Sequence, residues 1–195
     1  SSDLVSSHAP LVHAMKQDKM LNAKVCVTAQ HREMLDQVLA AFDIRPDFEL
    51  DLMAQGQDLF DVTAQVLLNL RDLLKELKPK LVLVHGDTTT SMAAGMACFY
   101  LGIPIGHVEA GLRTYDLAAP FPEEFNRRVT GLLTALHFAP TSKSKQNLIN
   151  EGVNESSILE TGNTVVDALK WAIQRLETDI ELGGSVDNQL NRLLS

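Results

Sequence analysis

Residues 80–109 read "KLVLVHGDTTTSMAAGMACFYLGIPIGHVE" and predict a strand, a helix and a second strand in direct succession. The apolar runs at both ends are typical of buried strands. Between them, Asp87 and Thr88 are ordinary helix-capping residues, and Gly102 is an ordinary helix terminator. Because a strand–helix–strand unit normally makes a right-handed crossover between parallel strands, this stretch predicts an α/β fold built on a parallel sheet.

The same alternation continues on both sides of this unit. Helical spacing of apolar residues predicts further helices at residues 9–19, 30–42, 58–77, 123–136 and 142–151, and from 164 onward. Short apolar runs predict further strands at residues 23–29, 48–52, 137–141 and 158–162. Repeated strand–helix–strand units predict a parallel sheet with helices on both faces.

The length of the chain, 195 residues, fits one domain with a sizeable core. We place this domain at residues 9–180. Residues 1–8 are polar and without pattern, which is typical of linker or appended sequence. Residues 181–195 are expected to be a linker or a terminal helix.

Composition narrows the classes of partner. The net charge is −8 and no basic stripe is present, which argues against nucleic acid. The longest uncharged stretch, residues 91–106, contains glycines and Pro104 and is shorter than the ~20 apolar residues of a membrane span. Cys26 and Cys98 lie in apolar stretches without metal-ligand spacing, so we expect buried free thiols and a cytoplasmic protein.

Polar residues follow three of the predicted strands, at 85–88, 107–111 and 161–164. Ligands of open parallel sheets bind at the carboxyl ends of the strands, so these clusters form a candidate site. Simpler interpretations remain open for each cluster. Asp87, Thr88 and Asn163 are also typical helix caps, and the histidines are typical of hydrogen-bonded core residues.

Carboxylates are the strongest chemical feature of this region. Glu109 follows an apolar strand, where a partly desolvated carboxylate needs an ion-pair partner or has a functional role. Arg113 is a candidate ion-pair partner for Glu109 or a clamp for phosphate or carboxylate. Glu123 and Glu124 suit the first turn of a helix that begins after a proline. If one of them shares a cleft with Asp87 and Glu109, mutual repulsion raises at least one pKa and creates groups that both take and give protons.

Several motifs occur together in one order. They are "VCVTAQHREMLDQVL", "VLVHGDTTTSMAAGMACF", "IPIGHVEAGLRT", "PFPEEFNRR", "HFAPT" and "TGNTVVDAL". Over about residues 9–175 the chain resembles the N-terminal half of the non-hydrolysing UDP-N-acetylglucosamine 2-epimerases. The resemblance implies a Rossmann-like domain, one half of a glycosyltransferase-B-like fold. It also implies interconversion of UDP-N-acetylglucosamine and UDP-N-acetylmannosamine without NAD or an added metal.

The family's functional residues transfer to matching positions of this chain. Asp87, Glu109 and Glu123 match its catalytic acids, and which of them removes the sugar C2 proton is left open. Arg113 matches the "GLRT" motif, where it shapes the loop or approaches the diphosphate of the substrate. Gln30 and His31 match an element that resembles part of a regulatory UDP-N-acetylglucosamine site, although an ordinary helix N-terminus explains them equally well.

The chain also departs from the family pattern. Family members open with a strand and a "GTRPE…K" loop, whereas "SSDLVSSH" stands here, and the sequence ends where a second domain is expected. The departures imply exposed strand edges, a homodimer, and little or no epimerase activity of these 195 residues alone. Two alternatives stay open: a non-catalytic nucleotide-sugar-binding or assembly module, and a hydrolysing relative.

Overall fold

The computed structural model describes residues 2–28, 32–52 and 56–178. Helices and strands alternate along the chain, as the sequence predicts. The helices are α1 (Ser2–Gln17), α2 (Arg32–Ala41), α3 (Leu59–Leu77), α4 (Thr89–Tyr100), α5 (Glu123–Leu133), α6 (Ser142–Asn150) and α7 (Thr164–Thr178). The strands are β1 (Cys26–Val27), β2 (Phe48–Glu49), β3 (Val82–His85), β4 (Ile105–Val108), β5 (Leu136–Ala139) and β6 (Ile158–Glu160).

The strands form two parallel sheets rather than one. β3, β4, β5 and β6 lie side by side in chain order, and in the described part of the chain β1 pairs with β2 alone. Within the same ranges, β1, β2, β3 and β6 each have one edge without a ladder. Local periodicity predicts that strands exist but not which of them are neighbours, so the division of the sheet was not predicted.

The main core lies between α3, α4 and the β3–β4 pair. Its buried apolar residues are Leu52, Val62, Val66, Leu70, Leu74, Val84, Ala93, Ala97, Cys98 and Ile105. α3 begins at a capping box, in which Asp58 accepts hydrogen bonds from the backbone N–H groups of Phe60 and Asp61. The apolar stripe predicted on α3 faces this core through its middle, whereas Leu59 and Leu77 at its ends are 41% and 37% exposed.

Two predicted boundaries shift. α1 begins at Ser2, so residues 2–8, expected to be linker, form its first turns; a helix once nucleated extends at little cost. α5 ends at Leu133 instead of Leu136, because the backbone of Thr134 is extended and the N–H of Ala135 donates to the carbonyl of Ile105 in β4. Residues 179–195 lie outside the described residues.

The two cysteines differ in exposure. Cys98 is buried and burial raises its thiol pKa to about 11, as expected for an unreactive core thiol. The expectation was wrong for Cys26, which is exposed. In the two-residue strand β1, Val27 packs against a core cluster, whereas Cys26, its neighbour along the strand, faces the opposite side of the sheet. No helix in the described part of the chain is both long enough and apolar enough to cross a membrane.

Two histidines are buried next to each other in the sheet. His107 of β4 and His137 of β5 are direct register partners, with 1% and 2% of their surfaces exposed. His107 donates through Nε2 to the carbonyl of Gly86 at 2.8 Å, which fits the buried core role that sequence left open for it. Burial lowers the pKa of both rings from 6.5 to about 4, so both are neutral in the folded protein.

This histidine pair predicts loss of stability in mild acid. Above pH 6.5 neither folded nor unfolded rings are protonated, whereas between pH 6.5 and 4 only the unfolded chain binds protons. The free energy of unfolding should therefore fall by about 2 kcal/mol per histidine between pH 7 and pH 5. Urea unfolding at several pH values measures the fall. In His137→Gln the fall should be smaller, and an unchanged pH dependence in a folded variant would contradict the prediction.

Candidate active site

The loop between β3 and α4 presents Asp87 at the carboxyl end of the sheet. Thr88 rather than Asp87 caps α4, because its hydroxyl accepts from the N–H of Ser91. The Asp87 carboxylate is therefore available for another partner. That partner is Arg127 of α5, whose Nη2 lies 2.5 Å from Asp87 Oδ2. The side chain of Asn126 also donates to the Asp87 carbonyl, so α5 fixes this loop through backbone and side chain.

Glu109 follows β4 directly, in a left-handed conformation with φ of 65°. This conformation turns the chain sharply at the end of the strand and is strained for a residue with a Cβ. One Glu109 oxygen lies 3.6 Å from Nε2 of the buried His85, too long for a well-formed hydrogen bond but close enough for a polar contact. Arg113, the partner expected from sequence, is not the group that contacts Glu109.

Residues 110–113 are fixed against α6. Gly111 packs so closely that a Cβ there would lie 2.2 Å from the Ser144 carbonyl oxygen, and Asn147 donates to the Gly111 carbonyl at 2.9 Å. Arg113 forms a two-pronged ion pair with Glu151, with distances of 2.7 and 2.8 Å. Its side chain is 1% exposed. Of the two roles implied for Arg113, this geometry supports loop shaping rather than contact with a diphosphate.

Glu123 and Glu124 occupy different environments at the start of α5. Glu124 is completely buried and accepts hydrogen bonds from the backbone N–H groups of Thr114 and Tyr115 at 3.0 and 3.1 Å. It is thus committed to holding the 114–115 turn. Glu123 is only half-buried and close enough to Asp87 to influence its ionisation. Of the two glutamates, Glu123 is the one that joins the acidic cluster.

Asp87, Glu109 and Glu123 share one electrostatic environment. Burial raises the pKa of Asp87; the charge and hydrogen bond of Arg127 oppose the rise, and the carboxylates of Glu109 and Glu123 add to it. The contact with His85 lowers the pKa of Glu109, outweighing the opposite effect of burial. The surroundings therefore act on the two carboxylates in opposite directions, against the proton-accepting form of Asp87 and in favour of the ionised form of Glu109.

Some expectations for the site fall elsewhere. Asn163 caps α7 by accepting from the N–H of Val165, the simpler of its two interpretations. Gln30 and His31, the candidate regulatory residues, lie outside the described residues. Sequence reasoning missed Arg127, which was visible only as part of a charged motif. Its spacing of three from Glu124 on a predicted helix was the available signal, since such residues lie on the same face.

Comparison with known families identifies this arrangement. The family model described as UDP-N-acetylglucosamine 2-epimerase matches residues 13–193. The chain belongs to this family. The match includes α5 and the loops that carry Asp87 and Glu109, and therefore the site described above. It confirms the resemblance drawn from the motifs.

Individual relatives are close in sequence and structure. An Escherichia coli protein named UDP-N-acetylglucosamine 2-epimerase is 59% identical over 163 residues, covering 84% of this chain and 43% of the relative. A Ralstonia solanacearum protein named probable UDP-N-acetylglucosamine 2-epimerase is 56% identical over 174 residues, covering 89% and 46%. The crystal structure of the Neisseria meningitidis epimerase bound to UDP-GlcNAc superimposes with a TM-score of 0.93 at 44% identity.

The extent of these matches is uneven. The Neisseria match covers 98% of this chain and 52% of that structure. The coverage of the curated relatives is similar, so the chain spans about half the length of the curated relatives it matches. Parallel sheets flanked by helices confirm the predicted α/β class, and the fold is that of one half of the glycosyltransferase-B-like relatives.

Proposed function

We propose that this chain supplies one wall of the active site of a UDP-N-acetylglucosamine 2-epimerase, and that the enzyme interconverts UDP-N-acetylglucosamine and UDP-N-acetylmannosamine. The observation that carries the proposal is the gathering of Asp87, Glu109 and Glu123 at the carboxyl end of the β3–β6 sheet, with pKa values displaced in opposite directions for Asp87 and Glu109. Family membership supports the choice of substrate.

The proposed reaction is an elimination followed by an addition. A carboxylate takes the proton from sugar C2, the bond between C1 and the diphosphate oxygen breaks, and UDP leaves on the opposite face. The intermediate is 2-acetamidoglucal. UDP then adds back at C1 while a proton is delivered to the other face of C2. Carboxylates held on both sides of the ring meet these needs, and proton transfer by positioned side chains typically accelerates a reaction ~10²–10⁴-fold.

The three acids have the catalytic roles in this proposal, and the basic residues support them. Asp87, Glu109 and Glu123 are the candidates for the C2 base and for its partner acid. Arg113, bound to Glu151, keeps the loop after Glu109 in place. The chain alone should show no turnover, because a cleft with one wall neither shields the intermediate from water nor holds the leaving UDP.

A hybrid enzyme tests the proposal. The 163 matched residues of this chain would replace their counterparts in the Escherichia coli protein. Turnover of UDP-N-acetylglucosamine would be followed by chromatography that separates UDP-linked from free N-acetylmannosamine. Production of UDP-N-acetylmannosamine supports the proposal. A folded hybrid without turnover would overturn it, and release of free N-acetylmannosamine would show a hydrolysing enzyme instead.

We also propose a homodimer, formed through α4 and α5. These helices pack on each other and expose Phe99 (58%), Phe125 (46%) and Leu132 (85%) on the surface. Leu132→Glu should raise the dimer dissociation constant at least tenfold, which corresponds to about 1.4 kcal/mol. Sedimentation velocity over a concentration series measures it. Leu68→Glu, at a half-exposed site on α3, is the matched control and should leave the dimer unchanged. A monomeric parent chain would contradict the proposal.

The proposed location is the cytoplasm. Cys98 and Cys26 are both free thiols, as in proteins of reducing compartments.

A further inference from the structure

A buried ion network connects the acidic cluster to the loop beyond it. Arg127 lies between two carboxylates: its Nη2 contacts Asp87 at 2.5 Å, and its Nη1 lies 3.4 Å from Glu124 Oε2. The guanidinium is largely buried, with 11% of the side chain exposed, and Glu124 is fully buried. Neither Arg127 nor Glu124 is among the residues to which the family resemblance assigned a role.

Glu124 places a fixed negative charge next to Arg127. Its two oxygens accept from the backbone N–H groups of Thr114 and Tyr115, so the carboxylate has little freedom to rotate. Arg127 lies beside this carboxylate, with Nη1 3.4 Å from Glu124 Oε2, and its Nη2 donates to Asp87. This single charge-assisted hydrogen bond directs one oxygen of Asp87 toward the guanidinium.

Stability alone does not account for this arrangement. The desolvation of buried ions often offsets their attraction, so a buried ion network is weak evidence for a stabilising role. The partner of Arg127 is also one of the three carboxylates proposed to transfer protons. The charged groups that act on Asp87 are Arg127 and Glu123 from α5 and Glu109 from the end of β4. Arg127 is the cation among these three groups. It lowers the pKa of Asp87, whereas burial and the two carboxylates raise it.

We infer that Arg127 is a positioning residue: lying between Glu124 and Asp87, it orients the Asp87 carboxylate without itself contacting the reacting atoms. Asp87 is thereby aimed into the cleft. Only the part of the inference that concerns turnover rests on the proposed function. The effect on the ionisation of Asp87 is a property of the folded chain.

The first experiment measures that property directly in the 195-residue chain. Carbon-detected NMR follows the Asp87 carboxyl through a pH titration, with Asp87→Asn used to assign its signal. In Arg127→Met the pKa of Asp87 should rise by about 1–2 units, because the adjacent cation is lost. Arg127→Lys keeps the charge and should give a smaller rise. Arg128→Met, at the exposed neighbouring position, is the matched control and should cause no shift.

Two outcomes would overturn the inference in this experiment. One is an unchanged Asp87 titration in a folded Arg127→Met chain. The other is an equal shift in Arg128→Met, which would show a general effect of removing a cation from α5. If Arg127→Met fails to fold, Arg127→Lys decides the question, since an Asp87 titration identical to that of the parent chain contradicts the inference.

The second experiment uses the hybrid enzyme described above. In Arg127→Lys, kcat should fall at least tenfold with little change in KM, and the acid limb of its pH profile should move to higher pH. Glu124→Gln should shift the profile in the same direction by a smaller amount. Loss of activity with an unshifted profile would indicate a merely structural role and overturn the inference. An inactive parent hybrid would count against the proposed function, while the NMR titration still decides the inference.

Discussion

Asp87→Asn should lower turnover of the hybrid enzyme at least ~100-fold, because asparagine has the shape of aspartate but accepts no proton. Asp87 is 25% exposed at the edge of the sheet and does not cap α4, so the start of that helix does not depend on its charge. Calorimetric titration of UDP-N-acetylglucosamine into the variant should show binding changed much less than turnover, which separates chemistry from recognition.

Matched substitutions show whether this loss is specific. Asp72→Asn removes a carboxylate that is 69% exposed on α3 and forms an ion pair with its neighbour Arg71, and it should leave turnover unchanged. Glu109→Gln should cause a loss similar to that of Asp87→Asn. Retention of more than about a tenth of the parent activity in Asp87→Asn would contradict its assignment as a proton-transfer residue.

Gly111→Ala should destabilise the fold by about 2–5 kcal/mol, through two separate effects. The residue has a φ of 87°, where a Cβ costs ~1–2 kcal/mol. The new Cβ would also lie 2.2 Å from the Ser144 backbone oxygen, and forcing α6 away adds ~1–3 kcal/mol of overpacking. Urea unfolding of the 195-residue chain measures the change. The displaced loop should also lower hybrid turnover, because it carries Glu109.

Gly152→Ala separates these two effects. Gly152 has a φ of 86°, but a Cβ there meets no heavy atom within 4 Å. The control should therefore show the backbone cost alone, about 1–2 kcal/mol. Equal losses of stability in the two variants would mean that α6 yields easily to a side chain at position 111, contrary to the close packing described above.

Sequence patterns determined much of this structure but not its long-range pairs. Helical spacing and apolar runs located the elements, because they report which face each segment buries. The convergence of Asp87 and Glu109 followed from their positions after parallel strands, whereas a shared cleft with Glu123 was only a conditional expectation. The pairs Asp87–Arg127 and Arg113–Glu151 join residues 40 and 38 positions apart, and local periodicity contains no information on such contacts.

Environment was the second limit on prediction. From the sequence, Glu123 and Glu124 have equivalent positions in the first turn of a helix. Only the three-dimensional structure shows that Glu124 binds the backbone of the 114–115 turn. Likewise, the neutral state of His107 and His137 follows from burial between elements that are distant in the chain. Such features arise from tertiary packing and leave little trace in a single segment.

At Glu109 the left-handed backbone lowers the stability of the fold, while the side chain is proposed to serve catalysis. Glycine would relieve the local strain there, since it tolerates positive φ without penalty. Directed evolution for heat resistance alone would therefore favour removal of this carboxylate, whereas selection for sugar conversion would restore it. We therefore expect a variant that gains thermal stability through glycine at position 109 to lose turnover.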